Sequence, residues 1–120
     1  MIEQIKDKNV YIAGPMTGIE DYNRRAFYKA HFAIGFYCKG VLNPASLPTT
    51  LAGHDVYMSI CLPMVDAADA MILLPGWESS KGAKLEKMRA ENNGIPVYTF
   101  EHGKKGKPPI LNMLPGLSVN

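Results

Sequence analysis

The chain has 120 residues, 47% hydrophobic and 20% charged, with a formal net charge of +2 at pH 7. That length suits a single domain over 1–120 with a buried core, and the small charge, much of it in Lys104, Lys105 and Lys107, is too local to argue for a nucleic acid polymer as partner. No apolar run approaches the roughly 18 residues of a membrane span and Met1 to Lys6 has no signal-peptide pattern, so neither a membrane nor an export route is expected and the compartment defaults to cytoplasmic.

Asn9 to Ala13 is a β-branched and aromatic run that stops at Gly14-Pro15, which predicts a first strand. Met16 to Asp21 follows as a loop with Thr17-Gly18 as its turn. From Tyr22 to Lys39 the residues Phe27, Ala30, Ala33, Ile34 and Tyr37 fall at helical spacing, with Gly40 as the expected C-cap. Val41-Leu42 is a short strand ended by Asn43-Pro44, and Ala45 to Gly53 is a loop. A second helix is expected from Asp55 to Ala67, started late or kinked by Pro63. Ala70 to Leu74 is the third strand, Lys81 to Asn92 the third helix, and Ile95 to Phe100 the fourth strand. From about residue 102 the chain is Gly/Lys-rich and reads as a flexible tail, stiffened at Pro108-Pro109. The apolar end, Ile110 to Leu117, is expected to dock on something, with another subunit as one candidate.

Strands alternating with helices imply an α/β fold with a parallel sheet. The economical topology is a flavodoxin-like three-layer sandwich of four strands in the order 2-1-3-4, with any fifth strand drawn from the tail. This sets three loops, 14–18, 43–53 and 75–82, at one edge of the sheet, where ligands bind in open α/β folds. The start of the second helix, His54 and Asp55, lies near that edge. Asp69, at the start of its strand, belongs at the opposite one.

The chain has no P-loop and no G-x-G-x-x-G, so neither a nucleoside triphosphatase nor a dinucleotide site is supported. Ser79, Ser80 and Gly82 at a helix start serve as a cap or cradle a phosphate. Glu86, four residues after Gly82, shares its helix face. It is either a solvated glutamate paired with Lys81 or Arg89, or an ionised nucleophile directed at the loop site. Trp77 packs across its loop or stacks on a planar ligand. Tyr11 is a core strand residue whose hydroxyl could reach the site, and Gly14 gives either close backbone approach or a tight turn. His54 and Asp55 read as helix caps. Cys38 and Cys61 lack zinc spacing and read as reduced thiols, Cys61 as a packed small hydrophobe. The seven methionines read as core, so no metal and no cofactor is expected.

Three phrases, taken together, change these weights: Tyr11-Ile-Ala-Gly-Pro-Met-Thr-Gly18, Leu42-Asn-Pro44, and Ala68-Asp-Ala-Met-Ile-Leu-Leu-Pro-Gly-Trp-Glu-Ser-Ser-Lys-Gly-Ala-Lys-Leu-Glu86. In that order and spacing the chain resembles the nucleoside 2-deoxyribosyltransferase-like superfamily, most closely its short, often phage-encoded branch. The resemblance implies a flavodoxin-like homodimer or larger homo-oligomer that cleaves the N-glycosidic bond of a 2'-deoxynucleoside or its 5'-monophosphate. The family nucleophile falls on Glu86, and the serine that contacts a 5'-phosphate falls on Ser80. The loop Gly14, Pro15, Met16 and Thr17 lies against sugar and phosphate. Tyr11, Asn43, Gly76, Trp77 and Gly82, in or beside the loops at the same sheet edge, complete the candidate substrate-binding set. One position departs from the pattern: where many members carry an acid that serves the leaving base, this chain has Cys61, leaving His54 or Asp55 as candidates. The alternative to an enzyme is a non-catalytic nucleotide-binding module on the same fold, and a third reading is a subunit-interaction protein.

Overall fold

Four consecutive buried residues, Val10, Tyr11, Ile12 and Ala13, divide the core of the chain in two. They form β1 (Asn9–Ala13), in which side chains alternate between faces. Val10 and Ile12 join a cluster with Phe27, Ala30 and Ile34 of α1 (Arg24–Ile34). Tyr11 and Ala13 join Cys61 and Val65 of α2 (Gly53–Asp66), and Ala83 and Ala90 of α3 (Lys81–Asn92). The computed structural model describes residues 2–115.

The remaining strands are β2 (Gly40–Leu42), β3 (Ala70–Leu73), β4 (Val97–Glu101) and β5 (Ile110–Met113). They form one five-stranded sheet in the order β2-β1-β3-β4-β5. The first four are mutually parallel, with Val10 opposite Val41 and Ala70, and Met71 opposite Val97. The chain is thus α/β, with a mostly parallel sheet and three helices. Among the described residues no helix is long and apolar enough to cross a membrane.

Three boundaries differ from the sequence expectation. The first helix starts at Arg24, not Tyr22, because Asp21, Tyr22 and Asn23 all hold positive φ (51°, 52° and 61°). It ends at Ile34, and Gly40 does not cap it. A Cβ on Gly40 would lie 2.7 Å from Asn9 Oδ1, so the missing side chain is what lets β2 pair closely with β1. The second helix runs from Gly53 to Asp66 and contains Pro63 in its last turn, where the proline withholds the one donor due to Ser59 O and the helix stops three residues later.

The segment expected as a flexible tail supplies the fifth strand. Ile110 to Met113 pairs antiparallel with β4, Leu111 opposite Phe100. Leu111 is buried against the core, and Leu114 N–H donates to Val97 O at 2.9 Å. The described part of the apolar end therefore docks on its own sheet; Leu117 lies outside the described residues. Asp69 sits at the far edge, where its carboxylate accepts from Asn9 N–H at 2.9 Å. It fastens the starts of β1 and β3.

Candidate functional site

A cleft of ≈ 890 Å³ opens at the carboxyl edge of the sheet. The loop after β1 lines it through Gly14, Pro15 and Met16, and the loop after β2 through Pro44 and Leu47. The starts of all three helices reach it, with Arg24 from α1, His54, Asp55 and Tyr57 from α2, and Ser80, Lys81 and Gly82 from α3. Glu86 lies at its floor.

The approach of the loops depends on glycine. A Cβ on Gly14 would meet Leu74 Cβ at 2.9 Å, closer than side-chain contacts allow. Gly76 turns with φ 89°, and a Cβ there would press on the Pro15 ring at 3.3 Å. The loops after β1 and β3 are thereby packed against each other. Tyr57 ties in the loop after β2, its hydroxyl donating to Pro44 O at 2.7 Å and lying 3.2 Å from Met16 Sδ. Asn23 secures the first loop from the other side, donating to Pro15 O at 2.9 Å.

Helix α3 buries a narrow stripe of Ala83, Glu86 and Ala90, at helical spacing. The two alanines let the helix lie close to the sheet, and that brings Glu86 onto β1. Only 5% of Glu86 is exposed, and the Tyr11 hydroxyl donates to its carboxylate. Among the described residues no cation lies within ion-pair distance of it: Lys87 pairs with Glu91 and Arg89 with Asp66. Burial therefore pushes the Glu86 carboxyl up to about 7, against the lowering effect of hydrogen bonds from Tyr11 and Cys61. This corrects both sequence readings of Glu86, the solvated ion pair and the carboxylate held ionised by the helix dipole. A helix terminus contributes about 0.3–1 kcal/mol and fades beyond the first turn, whereas desolvation moves a buried carboxyl by up to several units.

The same surroundings act on its neighbours. Burial beside Glu86 holds the Tyr11 and Tyr57 phenols well above their ordinary range and pushes the Cys61 thiol up to about 11. At neutral pH the cluster of Tyr11, Tyr57 and Cys61 is uncharged, and Glu86 is its one group that titrates there.

The other expected site residues fall into two groups. Gly14, Pro15, Met16, Ser80 and Gly82 line the cleft, as do His54 and Asp55, both exposed. Ser80 caps α3, its hydroxyl accepting from Ala83 N–H at 3.1 Å. That cap leaves the Lys81 and Gly82 amides, which have no partner within the helix, directed toward the cleft end of α3. His54 packs near Gly82: a Cβ there would lie 3.5 Å from His54 Cε1.

Asn43, Gly76 and Trp77 do not line the cleft. Asn43 is committed to the fold, its Oδ1 accepting from Ala45 N–H at 2.8 Å and its Nδ2 lying 3.2 Å from His31 Nδ1. Trp77 packs against the core on the α2–α3 side, with Lys87 Nζ 5.5 Å from its ring centroid. Gly76 acts through Pro15. Sequence reasoning did not place Arg24 or Tyr57 at the site, and it offered Lys81 only as an ion-pair partner of Glu86, whereas all three line the cleft. Tyr57 and Cys61 are four apart on α2, a spacing that sets both on one face, and this was the signal that could have found Tyr57.

Family comparison adds one finding. The family described as "Domain of unknown function (DUF4406)" matches residues 8–99, more than half of the chain. The chain belongs to the DUF4406 family. Those residues run from the start of β1 to within β4, so the DUF4406 match includes Tyr11, Cys61, Ser80 and Glu86 and stops short of β5. No curated protein matches the chain. Among the described residues no cluster of His, Cys, Asp and Glu could hold a metal ion.

Proposed function

We propose that this DUF4406 chain is a flavodoxin-like three-layer sandwich that cleaves the N-glycosidic bond of a 2'-deoxynucleoside or its 5'-monophosphate, by hydrolysis or by deoxyribosyl transfer. The observation that carries the reading is Glu86, a buried carboxylate on the floor of the cleft, held by Tyr11 and without a cation partner among the described residues. The division of the core into an α1 side and an α2–α3 side supports the layering, and the sequence phrases shared with the nucleoside 2-deoxyribosyltransferase-like superfamily supply the reaction.

In this mechanism an ionised Glu86 oxygen forms a bond to C1' as the C1'–N bond breaks, its electron pair leaving with the base, which takes up a proton. Water or a second base then attacks C1' and releases Glu86. A carboxyl poised near neutrality, pushed up to about 7, is a stronger nucleophile when ionised than a solvated one, and enough of it is ionised at neutral pH. His54 or Asp55 on the cleft wall gives the base its proton. A 5'-phosphate sits at the start of α3, on the free amides beside Ser80, with Arg24 and Lys81 as the cations of the cleft. The reading includes a homodimer or larger assembly, needs no cofactor, and expects a cytoplasmic protein.

The second reading, a nucleotide-binding module without catalysis, is favoured by one specific observation. Cys61 stands beside Glu86 with its thiol pushed up to about 11, so the position that carries an acid in many members of the superfamily offers a poor proton donor. The two readings separate when the protein is incubated with a panel of deoxynucleosides and monophosphates and free base is measured by chromatography. Catalysis requires base release that Glu86→Ala abolishes. Nucleotide binding without release under any condition sinks the enzyme and leaves the module.

A further inference from the structure

A second concavity, of ≈ 360 Å³, lies between the end of α1 and the β4–β5 loop and shares no lining residue with the cleft. One wall is aromatic. Phe32 is 68% exposed and Phe36 92%, with Tyr37 beside them. Phe32 is backed along α1 by the half-buried His31 and Tyr28, which do not line the concavity, with ring centroids 5.5 Å apart for His31–Phe32 and 6.1 Å for Tyr28–His31. Single exposed hydrophobics are ordinary, but two strongly exposed rings facing one concavity mark a contact surface.

The opposite wall is cationic. Lys104, Lys105 and Lys107 are all exposed on one loop, whose shape is set by its glycines. Lys107 N–H donates to Lys104 O at 2.7 Å, Gly106 turns with φ 78°, and a Cβ on Gly103 would fall 2.1 Å from Pro108 O. Exposed Arg25, Lys29 and Lys39 extend the positive surface. The sequence holds no Asp or Glu between Tyr22 and His54, and none after Glu101. Among the described residues no carboxylate pairs with any of these cations. The chain's small net charge conceals this because its acids lie elsewhere.

We propose that this groove binds a single-stranded nucleic acid, with bases stacked on Phe32, Phe36 and Tyr37 and phosphates on the lysine loop. Unpaired cations along a concave track beside exposed rings are what sequence-tolerant single-strand binding needs. A second copy is disfavoured, since a two-fold contact sets the same cations against each other. A lipid surface is disfavoured because interfacial anchoring needs an apolar face to insert, and these rings line a concavity with a cationic opposite wall. The inference does not depend on the reading of the cleft.

The test is fluorescence anisotropy with a labelled oligothymidylate of about 20 nucleotides, alongside the matching duplex and phosphatidylserine vesicles. The single strand binds, and affinity falls steeply with salt. The triple variant Lys104→Glu, Lys105→Glu, Lys107→Glu weakens binding at least about tenfold and flattens the slope of log K against log salt by about two. Phe36→Ala weakens binding about fivefold to a hundredfold and leaves the slope unchanged. All three lysines and Phe36 are exposed, so circular dichroism should show intact variants. The proposal is overturned if folded wild type gives no anisotropy change at low salt, or if the triple variant binds as wild type does. It is also overturned if duplex or vesicles bind as well as the single strand, or if wild type sediments as a dimer that Phe36→Ala dissociates.

Discussion

Replacing Glu86 with glutamine should make the protein more stable at alkaline pH while leaving it nearly unchanged in mild acid. The carboxyl is pushed from an ordinary 4.5 up to about 7 in the fold, so the folded state holds its proton more tightly than the unfolded one. Between those two values the native protein binds more protons than the unfolded chain, and stability therefore falls as pH rises through the window, then levels above it. At 1.36 kcal/mol per pKa unit, the fall amounts to ~3 kcal/mol. Glutamine has the same shape, keeps an oxygen to accept from Tyr11, and never ionises. Its stability contains no such fall.

The measurement is urea unfolding of wild type and Glu86→Gln at about pH 5 and about pH 8, followed by circular dichroism. Every other titrating group is common to both proteins and cancels in the difference. The variant should gain about 2–3 kcal/mol on wild type between the two conditions, because at about pH 5 the unfolded carboxyl has already begun to ionise. A difference that stays constant would mean that Glu86 is solvated or paired when ionised, and the burial argument for the site would fail.

Three further outcomes test the fold around the site. Asp66, held at about 2 by hydrogen bonds from Arg89 and Asn93, contributes stability that is present above about 3.8 and lost as pH falls toward 2; wild type and Asp66→Asn should converge in acid-unfolding curves. Gly14→Ala should cost about 1–3 kcal/mol in urea unfolding, because its Cβ meets Leu74 Cβ at 2.9 Å, and a Leu74→Ala background should recover part of that loss. Leu111→Ala should cost about 2–4 kcal/mol by the same measure, since Leu111 is the one residue of β5 buried in the core; a negligible cost would mean that β5 does not dock as described.

The parts of this chain legible in the sequence are those whose signal is local. The β1 and β3 runs, the α3 boundaries and the placement of Asp69 at the far edge all follow from periodicity, breakers and parallel connection. The parts that were not legible depend on contacts distant in sequence. Gly40 looked like a helix cap because nothing in its neighbours reveals Asn9 Oδ1 at 2.7 Å from its missing Cβ. A fifth strand could be assigned only to the tail and not placed within it, because four residues between a double proline and another proline carry too little alternation to announce themselves, and only the exposed edge of β4 makes 110–113 a strand. Asn43 and Trp77 belong to two of the phrases that suggested the site, yet their contacts commit them to the backbone after β2 and to the core. A motif reports that residues travel together, and does not say which of them touch a ligand.

Glu86 shows how magnitudes decide where position alone does not. The sequence placed it one turn into α3 and credited the helix dipole with keeping it ionised, an effect of about 0.3–1 kcal/mol. Ala83 and Ala90, the two small residues on its stripe, draw the helix down until the carboxylate meets Tyr11 and loses water, and that costs ~3 kcal/mol when it ionises. A substitution as mild as Ala83→Ser or Ala90→Ser would enlarge the stripe, lift the helix and readmit water, lowering the carboxyl toward its ordinary value. The chemistry of Glu86 is set by the smallness of its neighbours. An unpaired buried carboxylate that lowers stability at neutral pH makes little sense as a packing device, and that cost is the physical reason to look for its purpose in the cleft above it.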